Sequence, residues 1–195
     1  MAHEIERIEP MTQDLDLFSR LNQYFEQIDQ NIANGLGWLI FNASGGRARR
    51  ISNHVLEGFR QVDLPITFQH VPWRDFALNS YMVEVELQAI RESEEELSEH
   101  EQDEFDIATR ISRDSLVKMV AADVLVLSGV EPKHRHELEL LDQTIERRHN
   151  LMSVTIMLTP TQPPTLAIDM ARIAPDDTFW DRIFDRLYRR CLVAV

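Results

Sequence analysis

The densest concentration of chemistry in this chain is six residues long: Gly45-Gly46-Arg47-Ala48-Arg49-Arg50. It follows the apolar run Gly37-Trp38-Leu39-Ile40-Phe41 and the small-residue turn Asn42-Ala43-Ser44, and it leads into Ile51. Strand, turn and helix start in that order is where a nucleotide-binding frame places its phosphate loop. Backbone N–H groups at a helix N-terminus, joined by arginines, can hold an anion such as a nucleotide phosphate or a DNA phosphate. The competing reading is that Arg47, Arg49 and Arg50 pair with carboxylates of the acidic segment of the same chain or of a partner. The overall charge favours pairing: 20 Lys and Arg against 33 Asp and Glu leave a net −13.

Other groups with chemical potential are weaker. Lys133-His134-Arg135-His136 alternates histidines, but a tetrahedral metal site needs more ligands in suitable places, and a solvated helix start is expected. His70, beside Val71-Pro72-Trp73, reads as a core or rim histidine. Ser44 lacks the G-x-S-x-G surroundings of a hydrolase nucleophile. Cys191, the single cysteine, runs into Leu192-Val193-Ala194-Val195 and is expected to be a buried thiol; one cysteine builds neither a disulfide framework nor a multi-cysteine metal site. No metal or catalytic residue is assigned.

The elements that position these groups follow from hydrophobic periodicity. A polar arm over 1–11 precedes a domain over 12–195. Leu15, Phe18, Leu21, Tyr24, Phe25, Ile28 and Ile32 predict one helix, capped by Thr12 or Asp14 and ending near Asn34-Gly35. Trp38 to Phe41 predicts a central strand, and Ile51, Val55, Leu56 and Phe59 an amphipathic helix. Ile66 to Val71 predicts a second strand, with Pro72 in the first turn of the helix that follows. Between 84 and 106 stand eleven Asp or Glu and one Arg, read as a solvated acidic helical segment or as a contact for a basic partner. Ile107 to Val120 predicts a further helix. Asp123 to Gly129 is apolar enough for a strand covered on both faces, and Pro132 opens a helix through Ile145. Val154 to Thr159 is another strand, after which Pro160, Pro163 and Pro164 break the chain. Asp176 or Asp177 starts a last helix, and Leu192 to Val195 closes as a strand. Alternating strands and helices predict a mostly parallel sheet with right-handed crossovers. Met1 to Glu6 lacks a signal-peptide pattern and no apolar run approaches ~20 residues, so a cytoplasmic protein off the membrane is expected.

Four stretches carry a resemblance: Leu39 to Ile51, Ala122 to Gly129, Leu140 to His149 with Val154 to Pro160, and Asp177 to Leu187. In order and spacing they resemble the AAA+ family of bacterial replicative-helicase loaders (DnaC type) and transposition helper ATPases (IstB type), over about residues 14–195. The resemblance implies a P-loop NTPase-like, three-layer αβα sandwich on a mostly parallel sheet of about five strands. It places a phosphate loop of the form G-x-x-x-x-G-K-[ST] on Asn42 to Arg49, with Asn42 and Arg47 at the glycines, Ala48 at the lysine and Arg49 at the hydroxyl residue. The Walker B acids, which hold Mg²⁺ and orient the attacking water, fall on Ser128 and Gly129, and the sensor asparagine on Pro160. Arg182 and Arg186 fall on the helix whose arginine acts on a neighbouring subunit's nucleotide; the alternative for them is a surface pairing with Asp181 and Asp185.

Phosphoryl transfer is mostly positioning and electrostatic stabilisation, so losing the lysine, the magnesium ligands and the sensor together is expected to abolish it. The leading expectation is a catalytically inactive AAA+-like protein, a pseudo-ATPase, with no resident cofactor and ATP binding disfavoured. It would act as an interaction or regulatory subunit of a machine for helicase loading, replication or transposition. Expected partners are an AAA+ relative, a helicase or another DNA-processing component, or a second copy of the chain; nucleic acid would bind only through the local basic patch Arg47, Arg49 and Arg50. The loaders carry a helicase-binding region before their ATPase core, and about a dozen residues precede the first helix here, so helicase binding does not carry over. The alternatives are an atypical NTPase using the arginine-rich loop, and a DNA-binding adaptor of a mobile element or phage-defence system. For the latter, Leu127-Ser128-Gly129-Val130 is also similar to a small component of the BREX system.

Overall fold

The structure, a computed structural model, describes residues 14–82, 110, 111, 114, 115 and 117–195. The arm over 1–11 and the acidic segment over 84–106 lie outside the described residues, as does Thr12.

Five strands form one parallel sheet: β1 (Gly37–Ile40), β2 (Phe68–Pro72), β3 (Val124–Ser128), β4 (Val154–Leu158) and β5 (Cys191–Ala194), in the order β2-β3-β4-β1-β5. Trp38 stands opposite Ile156 on one side and Leu192 on the other. β1, β4 and all of β3 but Ser128 are buried. That is why they read as unbroken apolar runs: a strand covered on both faces has no polar alternate positions.

Side chains alternate between the faces, and each face has its own core. On one side Trp38, Ile40, Val126 and Ile156 pack against α1 (Leu15–Glu26), α2 (Ile28–Ala33) and α3 (Gly45–Gln61). On the other side Leu39, Leu125, Leu127 and Met157 pack against α4 (Trp73–Tyr81), α5 (Arg135–Asn150), α6 (Pro163–Ile173) and α7 (Phe179–Tyr188). Residues 117–121 are also helical and bring Met119 into the second core. The result is the expected αβα sandwich.

Several element boundaries differ from the periodicity. The first helix is two, parted at Gln27 (φ −113°, ψ 26°). At the break the Tyr24 carbonyl accepts the Gln27 N–H at 3.3 Å and the side-chain amide of the buried Asn31 at 2.8 Å. Asp14 stands at the N-cap of α1, but its carboxylate makes no capping bond. Pro72 ends β2 and serves as N-cap of α4 instead of entering its first turn. Pro132 is buried ahead of α5, which starts only at Arg135; there Glu137, three residues in, accepts the Lys133 backbone N–H at 2.8 Å. Pro163 and Pro164 do not break the chain. They occupy the first two positions of α6, where a missing N–H costs nothing because that N–H has no helical partner. The last helix begins at Phe179 behind Thr178, two residues past Asp177.

Candidate functional site

The helix that follows β1 lies on one face of the sheet and the helix that follows β4, its neighbour, lies on the other. In an open α/β sheet the crevice at the carboxyl ends of two such strands is where ligands bind. Here it is bounded by residues 41–46 after β1, by Thr159-Pro160-Thr161 after β4 and by Ser128-Gly129-Val130 after β3.

The turn after β1 is only Phe41 to Ser44, because α3 already starts at Gly45. Asn42 (φ 55°) and Gly45 (φ 50°) take the left-handed conformation that lets it turn so tightly. All four of its N–H groups are already used, that of Phe41 by the Ala194 carbonyl at 2.8 Å. Asn42 N–H donates to the Thr161 carbonyl at 3.2 Å, Ala43 N–H to the Thr159 carbonyl at 2.9 Å, and Ser44 N–H to the Asn42 carbonyl at 3.0 Å. Thr159 N–H returns a bond to the Ile40 carbonyl at 2.9 Å, so the turn is zipped to the chain leaving β4. Thr159 is buried, with its hydroxyl 2.8 Å from that of Thr161. Only the first-turn donors of α3, at Gly45, Gly46 and Arg47, have no backbone acceptor among the described residues; Ala48 N–H already bonds the Ser44 carbonyl at 3.2 Å.

The arginines divide. Arg47 Nε donates to Asp14 Oδ1 at 2.8 Å and its Nη1 to the Phe41 carbonyl at 2.9 Å, while Arg50 Nη2 donates to Asp14 Oδ2 at 2.9 Å. The Asp14 side chain is fully buried and the Arg47 and Arg50 side chains are 17% and 13% exposed. Burial alone would raise the Asp14 pKa, but the hydrogen bonds and charges of Arg47 and Arg50 outweigh it and hold the carboxyl below its ordinary value. The pairing carboxylate is therefore Asp14, outside the acidic segment over 84–106. Arg49 is exposed and has no ion-pair partner among the described residues.

At the end of β3, Ser128 Oγ lies 2.9 Å from His70 Nε2 on β2. His70 is half-buried, and burial lowers its pKa, so it is held neutral. Gly129 (φ 72°) turns the chain away, and Val130 N–H bonds the Leu158 carbonyl at 2.9 Å. The nearest carboxylate downstream, Glu131, is exposed and 4.0 Å from Lys133 Nζ. Pro160, at the sensor position, carries no polar side-chain atom.

Arg182 and Arg186 project from α7 onto α5. Arg182 reaches Asp142 at 2.9 Å and Asp177 at 2.9 Å and lies 4.8 Å from the Phe179 ring centre. Arg186 bonds Asp142 and Glu146. Their carboxylates are thus Asp142, Asp177 and Glu146; Asp181 is not among them, and Asp185 pairs with Arg189 at 3.0 Å. His134 and His136 stack on each other, with ring centres 5.3 Å apart, and no group of metal-ligating side chains occurs among the described residues. The Cys191 thiol points inward, 3.6 Å from the Thr155 carbonyl, and burial pushes its pKa up to about 12.

Two residues outside the motif reading matter. Asp14 was visible only as a helix cap; its signal is that arginines at i and i+3 on α3 need a carboxylate. Arg148 has no sequence signal at all. It is fully buried and donates to Thr155 Oγ1 at 3.1 Å and to the carbonyls of Met119 (2.8 Å), Val120 (3.2 Å), Ala122 (2.7 Å) and Val154. It joins the end of the 117–121 helix and the residues leading into β3 to the start of β4, at the end of the sheet opposite the crevice.

No family model and no curated protein matches the chain. Among solved structures it is similar to one described as the DnaC helicase loader, at 15% identity and a TM-score of 0.59, over 96% of this chain and 92% of that one. The fold is therefore α/β, P-loop NTPase-like and DnaC-like. No helix among the described residues is long and apolar enough to cross a membrane.

Proposed function

We propose that this chain is a catalytically silent AAA+-like protein that acts as an interaction or regulatory subunit of a DNA-processing machine. The observation that carries it is the state of the turn after β1. A phosphate loop works by aiming free backbone N–H groups, a lysine and a hydroxyl at the phosphates and their Mg²⁺. Here all four of the turn's N–H groups are spent on in-chain carbonyls, and Arg47 and Arg50 at the start of α3 share Asp14, which engages both and offsets one of their two charges. Ala48 and Arg49 stand where the lysine and hydroxyl would, and Ser128 and Gly129 where the magnesium ligands would. The link to DNA processing rests on the likeness to the helicase-loader structure.

The test is ATP turnover together with nucleotide-dependent melting on the purified chain. Background turnover and no shift of Tm with ATP and Mg²⁺ are expected. Robust turnover abolished by Arg47→Ala or Arg49→Ala would overturn the reading. A second reading, an anion site at the start of α3, is favoured by the exposed Arg49 beside the unengaged first-turn donors. It requires DNA or nucleotide binding that weakens steeply with salt and is lost in Arg49→Glu.

A further inference from the structure

We propose that the groove between α1, α2 and the C-terminal half of α3 is a docking site for a short protein segment carrying lysine or arginine among apolar side chains. This deepens the reading of the chain as an interaction subunit and rests on it. The groove has a volume of about 610 Å³, within the ~300–1,000 Å³ range of sites that enclose a ligand. Its walls include Glu26, Asp29, Glu57 and Asp63, all exposed, and among the described residues no lysine or arginine. Glu57 is partly committed, to Arg60 at 3.7 Å and to the Gln61 amide at 2.9 Å; an exposed pair of that kind contributes little and yields to a better-placed cation. Beneath the carboxylates the floor is apolar: Phe25, Ile28 and Leu64 line it and are packed into the core.

His54 also lines the groove. Burial lowers its pKa, so the ring is neutral, and its Nε2 is shielded from solvent without a hydrogen-bond partner among the described residues. A shielded polar atom in that state costs free energy until a partner reaches it. The groove thus offers carboxylates above and an apolar floor.

Charge selects the occupant. Residues 1–13 carry three Glu and one Arg, and residues 84–106 carry eleven Asp or Glu and one Arg. Neither of these acidic stretches complements four carboxylates, so charge favours a cationic segment of another protein. Opposite charge would steer it in, and the floor would hold the apolar side chains between its cations.

The test uses a display library of random 12-residue peptides selected on the full chain and, in parallel, on the double variant Glu26→Lys/Asp63→Lys. Both substitutions are at exposed positions; an unchanged melting curve confirms that the variant folds. Enrichment of peptides with Lys or Arg flanking Leu, Ile or Phe is expected on the native chain only. The strongest peptide should bind the double variant about tenfold more weakly or worse and shift the amide signals of residues 22–29 and 54–64. Equal affinity for both proteins, displacement by spermidine as readily as by peptide, or shifts mapping to another surface would each overturn the proposal. So would a failure to enrich any groove-dependent peptide. None of these outcomes depends on nucleotide, so the proposal can fall while the catalytically silent reading stands, and ATP turnover could end that reading while leaving the groove intact.

Discussion

Arg148 and Asp14 are two fully buried charges with opposite solutions. Arg148 has no carboxylate in contact among the described residues; it is held by a hydroxyl and by backbone carbonyls, and desolvation lowers its pKa to about 10. Removing it leaves the carbonyls of Met119, Ala122 and Val154 buried and short of donors. Arg148→Met is expected to lower the unfolding free energy by about 3–5 kcal/mol, read from urea denaturation. Asp14 is held by two arginines instead. Asp14→Asn is expected to cost about 2–3 kcal/mol at pH 7. Its pKa lies below the ordinary value when folded, so the stabilisation is present above the unfolded-chain pKa of about 3.9 and is lost as pH falls through the folded value. The gap between native chain and variant in urea midpoint should therefore close below about pH 4.

Between elements, α1 and α3 approach closely at Gly58. A Cβ at Gly58 would lie 2.4 Å from the Phe25 ring. Gly58→Ala gains about 1 kcal/mol of helix propensity but overpacks that contact at about 1–3 kcal/mol, so the variant should melt lower. Adding Phe25→Leu should recover much of the loss, a coupling that a double-mutant cycle detects. The α5–α7 contact depends on Asp142, which receives both Arg182 and Arg186. Asp142→Asn is expected to lower stability by about 1–2 kcal/mol, with the side chain 13% exposed and Arg182 39% exposed. How far the elements were legible depended on the signal each used. β1, β3 and β4 were plain because burial on both faces leaves an apolar run. α6 was missed because prolines that initiate a helix and prolines that end one look alike without the neighbouring chain. The break at Gln27 was hidden because Leu21, Tyr24 and Ile28 keep helical spacing across it.

Across the whole molecule, the fold was legible and the site only half so. Alternating strands and helices fixed the layers, and the turn at 41–46 was found where the sheet changes direction. What that turn bonds to was not legible. Its N–H acceptors, Thr159 and Thr161, lie more than a hundred residues downstream, and the carboxylate that takes Arg47 and Arg50 lies 33 and 36 residues upstream. Periodicity reports which face a residue occupies and is silent about partners that far away. Among the described histidines, His54, His70 and His149 have pKa values lowered first by burial, which gives the molecule a common acid response. Their folded pKa values lie below the unfolded value of about 6.5, so the unfolded chain takes up protons first and stability falls as pH drops through 6.5. Thermal midpoints should decline between pH 7 and 5.5, and His54→Gln with His70→Gln should flatten that decline.

The single cysteine makes the last strand observable. Its thiol lies in β5, is turned toward the Thr155 carbonyl and has its pKa pushed up to about 12. At neutral pH almost none of it is thiolate, the form that reacts. An alkylating reagent should therefore ignore the native protein and mark each molecule only when β5 lifts from β1. Labelling speed becomes a clock for that opening. With one mark per chain, mass spectrometry could follow whether a bound partner slows the clock, without any engineered probe.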